Sequence, residues 1–116
     1  MDQNIFFYKS TCDTCRKALK VIRGLRPDLE VRNFSKAPLT RAEVERVLTL
    51  AGGVGPALNN YNKTVRANGW KADPPERDAY IEAVLGDNNL IRRPLLIVGE
   101  QIVIGRDEGA YRTLLG

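Results

Sequence analysis

Cys12 and Cys15, the two cysteines of the chain, are the residues whose type and spacing could do chemistry. They lie between a short apolar run, Ile5-Phe6-Phe7-Tyr8, and a helix-like stretch that runs to Leu25. At this spacing one thiolate can attack a substrate while the second, one helical turn on, resolves the product as a disulfide. Only the thiolate is a good nucleophile, and a free thiol with a pKa near ~8.5 is mostly protonated at neutral pH. At a helix mouth, unsatisfied N–H groups and the macrodipole favour the anion. Arg16, one turn on, and Lys17 add positive potential. A pKa lowered by roughly one to two, at about 1.4 kcal/mol each, leaves Cys12 largely ionised.

The elements that must position these thiols are legible around them. From Thr14 to Leu25, Cys15, Ala18, Leu19, Ile22 and Leu25 share one face, with Arg16, Lys17, Lys20 and Arg23 elsewhere on the wheel. Cys15 therefore belongs to the buried stripe, whereas Cys12 precedes the helix and can meet solvent. That asymmetry makes Cys12 the attacking thiol and Cys15 the resolving one. Residues 5–8 read as a buried strand, and Leu29 to Phe34 as a second. Thr40-Arg41-Ala42-Glu43 is a capping box that opens another helix, stopped by Gly52-Gly53. Residues 57–70 read as short helical turns, with Trp70 as packing. Asp73 is expected to cap a helix with Pro74 at its first position and Gly86 at its end. Leu95–Val98 and Gln101–Ile104 form a hairpin through Gly99-Glu100, and a helix from Asp107 to Leu115 closes the chain.

A second constellation is Ile91-Arg92-Arg93-Pro94-Leu95. Pro94 opens an apolar strand, and a cis Arg93–Pro94 bond is expected to set Arg93 against the cysteines. The forked donors of Arg93 suit an oxyanion or a carboxylate. Thr11 and Tyr8 flank the thiol box.

Composition narrows the remaining classes. The 116 residues fit one compact domain, and 43% hydrophobic with 28% charged residues is ordinary for a globular chain. There is no histidine, so Ser-His-Asp and Cys-His machinery and imidazole metal sites are excluded. Two cysteines alone do not complete a structural zinc site, and no metal is expected. Eighteen Lys and Arg against 14 Asp and Glu give a net charge of +4 and a pI near 9.3. This balance attracts anions or an acidic partner, or merely solvates a face. No aromatic-basic interleaving suggests direct nucleic-acid binding. No long apolar run spans a membrane, and Met1-Asp2-Gln3-Asn4 lacks the pattern of a secretory leader. A cytoplasmic monomer is expected, in a compartment where such a dithiol is redox-active rather than a staple.

The order β-α-β, helices, β-hairpin, α describes an α/β, thioredoxin-like fold. Its expected form is one domain over 1–116, with a mixed four-stranded sheet flanked by helices and a helical insertion at approximately 40–90. Several segments carry a more specific resemblance: Phe7-Tyr8, Cys12 through Ala18, Arg32-Asn33-Phe34, Pro38-Leu39-Thr40, Leu90 through Ile97, and Val103-Ile104-Gly105 with Asp107-Glu108. Together they resemble the arsenate reductase (ArsC)/Spx family along essentially the whole chain. The resemblance implies a reductase in which Cys12 is the nucleophile and arginines hold an oxyanion. Arg93 matches the arginine before the late proline, and Arg106 the one after the last strand. The family's third arginine lies in the inserted region, where this chain has Asn59-Asn60-Tyr61, with Arg66 further on. Substrate-side roles then fall to Arg16, Arg106, Pro94 and Thr11. No bound cofactor is implied; electrons would come from glutathione with glutaredoxin, or from thioredoxin. The Spx side of the resemblance implies instead a Cys12–Cys15 redox switch that governs binding to the C-terminal domain of the RNA polymerase α-subunit. Gly52 or Gly53 would then occupy the family's glycine position.

Overall fold

The computed structural model describes residues 4–116. Met1–Gln3, where the sequence shows no leader pattern, lie outside the described residues. The chain divides into two compact units: residues through Ala37 together with Arg93–Gly116, and Pro38–Arg92.

The first unit is built on a mixed sheet in the order β2-β1-β3-β4. Strand β1 (Ile5–Tyr8) is central, parallel to β2 (Glu30–Asn33) and antiparallel to β3 (Leu95–Val98), which pairs with β4 (Gln101–Ile104). Ile5, Phe6 and Phe7 are all buried, which explains a continuous apolar run where a one-sided strand would alternate. Edge strand β2 is one residue shorter at each end than its sequence pattern suggests. Leu29 turns back with its N–H on the Arg26 carbonyl, and Phe34 still donates to the Tyr8 carbonyl at 2.9 Å. Gly99 takes φ +59° in the hairpin, while among the described residues no non-glycine residue has positive φ. That combination fits a II′ turn, in which only the first central residue needs the left-handed side.

Helix α1 (Asp13–Leu25) buries Cys15, Ala18 and Ile22 and ends two residues before Pro27. Proline disfavours helical backbone in the residue ahead of it, and Arg26 is correspondingly non-helical, with φ −142° and ψ 84°. The stripe packs into a cluster of Phe6, Ala18, Ile22, Leu96, Tyr111 and Leu115. Tyr111 comes from the closing helix, labelled α6 (Glu108–Leu115), whose N-cap is Asp107. Its ring meets Phe6 edge-on at 6.1 Å, and its hydroxyl donates to the Gly105 carbonyl at 2.8 Å. Burial is the main cause that pushes the Tyr111 phenol up to about 12; the Asp107 backbone works against it, while the nearby Cys15 and Asp107 charges add to it.

The second unit is helical. Helix α2 (Arg41–Ala51) starts on the expected capping box: Thr40 Oγ1 accepts the Glu43 N–H, and the Glu43 carboxylate accepts the Thr40 N–H. It stops at Gly52, whose φ of +87° is costly for any residue with a Cβ. Short helices α3 (Val54–Ala57) and α4 (Lys63–Ala67) follow. Helix α5 (Arg77–Gly86) begins after Glu76, not after Asp73 as the sequence pattern implies. Pro75 is the reason: it disfavours helical backbone at Pro74, so the helix starts beyond both prolines. Its buried Tyr80 donates to the Leu90 carbonyl at 2.9 Å and meets Trp70 edge-on. Among the described residues no helix is long and apolar enough to cross a membrane.

Two outcomes check these contacts. Thr40→Ala is expected to lower stability by about 1 kcal/mol in urea unfolding, the usual cost of a lost N-cap; no change contradicts the capping role. An acid whose folded pKa is raised keeps its proton while the unfolded chain has lost it. Stability therefore falls as pH climbs from the unfolded phenol value of 10.0 towards about 12 for Tyr111. A Tyr111→Phe variant is expected to flatten part of that decline in the urea midpoint, and an identical slope contradicts it.

Candidate active site

The first unit brings Cys12, Cys15 and Arg93 together. Strand β1 ends at Tyr8, and a turn closed by the Cys12 N–H on the Lys9 carbonyl at 3.0 Å delivers Cys12 to the start of α1. Cys12 is the N-cap, with extended backbone (φ −93°, ψ 119°), and its carbonyl accepts the first helical bond from Arg16. It is half-buried, whereas Cys15, one turn on, is fully buried in the helix stripe. Both thiols are free.

The environment drives the two sulfurs apart in acidity. Partial burial acts to raise the Cys12 pKa, but several effects together outweigh it. They are the Cys15 N–H, the Cys15 thiol, and the hydrogen bond and charge of Arg93, and they hold Cys12 below the ordinary value of 9.0. The Cys15 amide does not complete a geometric cap hydrogen bond, yet it lies near enough to favour the anion. Cys15 moves the other way. Burial is the main cause, the neighbouring Cys12 sulfur adds to it, and its thiol is pushed up to about 12 against smaller effects of the Lys9 amide and Arg93. Because the two groups interact, their protons leave in two separate steps, the first mainly from Cys12 and the second mainly from Cys15.

Arg93 precedes Pro94 across a cis peptide bond, as the sequence suggests. Pro94 is buried, and its carbonyl accepts the Gly105 N–H at 2.8 Å. The Arg93 Nη1 is buried and has no hydrogen-bond partner among the described residues. An orphaned guanidinium nitrogen on the arginine beside the Cys12 sulfur is a donor that an oxyanion or carboxylate would satisfy.

The other arginines singled out in the sequence are engaged locally. Arg16 donates to Asp13 at 3.2 Å and to the Ser10 carbonyl at 3.1 Å, and Lys17 pairs with Asp13 at 3.3 Å. Lys17 chiefly, with Arg16, holds the Asp13 carboxyl below its ordinary range. Neither Arg16 nor Lys17 is among the groups that set the Cys12 pKa. Arg106 is gripped by Glu108 through Nε at 2.8 Å and through Nη2. Thr11 is exposed beside Cys12. Asn33, to which the sequence pattern assigns no site role, anchors the loop before Cys12 by accepting from the Ser10 N–H at 3.2 Å. Its only signal is its place in the Arg32-Asn33-Phe34 segment.

In the second unit, a cavity of about 700 Å³ is lined by Asn59, Asn60, Arg66, Lys71 and Arg92 together with Tyr61, which is 92% exposed. The described residues contain no group of three or more Asp, Glu or Cys placed to hold a metal ion.

Comparison with known proteins places this geometry. The regulatory protein MgsR of Bacillus subtilis (strain 168) is 24% identical, the match covering 98% of this chain and 92% of MgsR. The global transcriptional regulator Spx of Streptococcus pneumoniae (strain ATCC BAA-255 / R6) is 24% identical over 94% of this chain and 83% of Spx. Among solved structures, an arsenate reductase from Vibrio cholerae is 16% identical, covers 98% of both chains and superposes with a TM-score of 0.81, a likeness of fold. The ArsC family model matches residues 7–114, from the end of β1 through α6. The chain belongs to the ArsC family.

Proposed function

We propose that this protein is a thiol–disulfide oxidoreductase of arsenate reductase type, in which Cys12 attacks and Cys15 resolves. The observation that carries the reading is the split between the two sulfurs: one favoured as thiolate beside Arg93, the other buried and held protonated. The Cys12 thiolate attacks a substrate disulfide, forms a mixed disulfide and releases the first substrate thiolate. Cys15 then gives up its proton and attacks the Cys12 sulfur, forming the Cys12–Cys15 bond and releasing the second. With arsenate the same two thiols supply two electrons, and the products are arsenite, water and the internal disulfide. Glutathione with glutaredoxin, or thioredoxin, returns the two electrons in a reducing, cytoplasmic compartment.

The environment supports that order of events. The Cys12 sulfur is itself one cause of the raised Cys15 pKa. Once Cys12 is bonded to substrate its charge is gone, while the lowering effect of Arg93 on Cys15 remains. Bonding of the first sulfur thereby eases ionisation of the second. The unpartnered Arg93 Nη1 is the donor available to an anionic substrate group.

A second reading is a redox-controlled regulator that docks on the C-terminal domain of the RNA polymerase α-subunit. The regulators that this chain resembles at 24% identity favour it.

Turnover of a small disulfide, and of arsenate, is measured with glutathione, glutaredoxin and NADPH-coupled recycling. Cys12→Ser is expected to abolish NADPH oxidation. Cys15→Ser is expected to accumulate a mixed disulfide at Cys12, visible as an adduct by mass spectrometry. Arg93→Leu is expected to slow attack by about tenfold, the effect of losing one charge-assisted bond. Absence of Cys12-dependent oxidation with both substrates contradicts the enzyme. Capture of the polymerase domain in one redox state only, lost in Cys12→Ser, then supports the regulator, and absence of capture in both states rejects it.

A further inference from the structure

Asn33 ends β2 directly opposite Tyr8, the last residue of β1. Its Oδ1 accepts three hydrogen bonds: from the Ser10 N–H at 3.2 Å, the Ser35 N–H at 3.2 Å and the Ser35 hydroxyl at 2.6 Å. The Ser35 hydroxyl proton is thereby used, so in the 3.2 Å contact between the two serine hydroxyls Ser10 is the donor. The Ser10 carbonyl accepts from Arg16 Nη1 at 3.1 Å. Ser10 is thus fixed at its amide, its hydroxyl and its carbonyl. Next to it, Lys9 offers its carbonyl to the Cys12 N–H, and its amide acts on the Cys15 sulfur. Whatever fixes Ser10 therefore fixes the peptide that addresses both thiols.

We propose that Asn33 is a positioning residue for the dithiol: it straps the turn of residues 9–12 to the end of β2, so that the Cys12 sulfur stays against Cys15 and Arg93. The inference rests on Cys12 being the attacking thiol. The bond crosses 23 residues of sequence and ties the two ends of the β1-α1-β2 crossover together, where the β1–β2 ladder runs out. In all three of these bonds Asn33 serves as the acceptor. An aspartate would keep that acceptor, and an alanine would remove it.

The test compares the parent protein with Asn33→Ala and Asn33→Asp by two readouts: the pH profile of Cys12 alkylation by iodoacetamide, and hydrogen exchange at the Ser10 and Cys12 amides. In Asn33→Ala both amides are expected to exchange faster. The alkylation midpoint is expected to move up, with the rate at neutral pH falling about threefold or more as the thiolate fraction drops. Asn33→Asp is expected to restore amide protection. An unchanged alkylation profile in Asn33→Ala overturns the proposal, whatever happens to its melting temperature, and so does a failure of Asn33→Asp to restore protection. If the parent's own Cys12 titrates as an ordinary thiol, the proposed function fails instead. The exchange data then decide the strap alone, and unaltered exchange in Asn33→Ala rejects it.

Discussion

The structure depends on an uneven electrostatic partnership between two sulfurs that share one helix start. Cys12 caps α1 without a hydroxyl or carboxylate, the groups usually preferred there, so the helix gives up a better cap. What the position gains is an anion-favouring environment: the Cys15 amide and thiol and the Arg93 guanidinium converge on one half-buried atom. Cys15 is the counterweight. Buried in the apolar stripe of α1, its thiol is held protonated by the same surroundings that pack the helix on the sheet. Cys12 and Cys15 thus differ by one helical turn and by exposure to solvent.

The sheet supplies the frame for that difference. Phe6 and Leu96, cross-strand partners on β1 and β3, join Ala18, Ile22 and Tyr111 in one cluster, which fixes the roll of α1 and therefore which cysteine faces inward. The Pro94 carbonyl is tied to the Gly105 amide, so the segment carrying Arg93 is bound to the far end of β4. Arg93 reaches the dithiol from a rigid strand start, whereas Arg16 and Arg106 are drawn off by acids within three residues of themselves.

What the sequence discloses, and what it conceals, follows the range of each interaction. The Thr40 capping box, the Gly99 hairpin and the Cys15 stripe are local patterns whose donors and acceptors lie within a few residues, and each forms as its pattern implies. The start of α5 departs from its pattern because Pro74 alone is a good first helical residue, but Pro74 followed by Pro75 is not. Arg106 reads as an anion ligand from its match to the family pattern, and in the structure its Nε and Nη2 donate to Glu108, two residues on. Arg16 likewise pairs with Asp13, three residues before it. Asn33 is illegible for a different reason: a single acceptor reaching back 23 residues leaves no trace in periodicity.

The central claim is most directly tested by titrating the protein with its cysteine Cβ carbons isotopically labelled and following both by NMR. Two separate transitions are predicted, the Cys12 carbon moving below 9.0 and the Cys15 carbon only towards about 12. A Cys12 carbon that titrates at or above 9.0, or two carbons that move together, contradicts it.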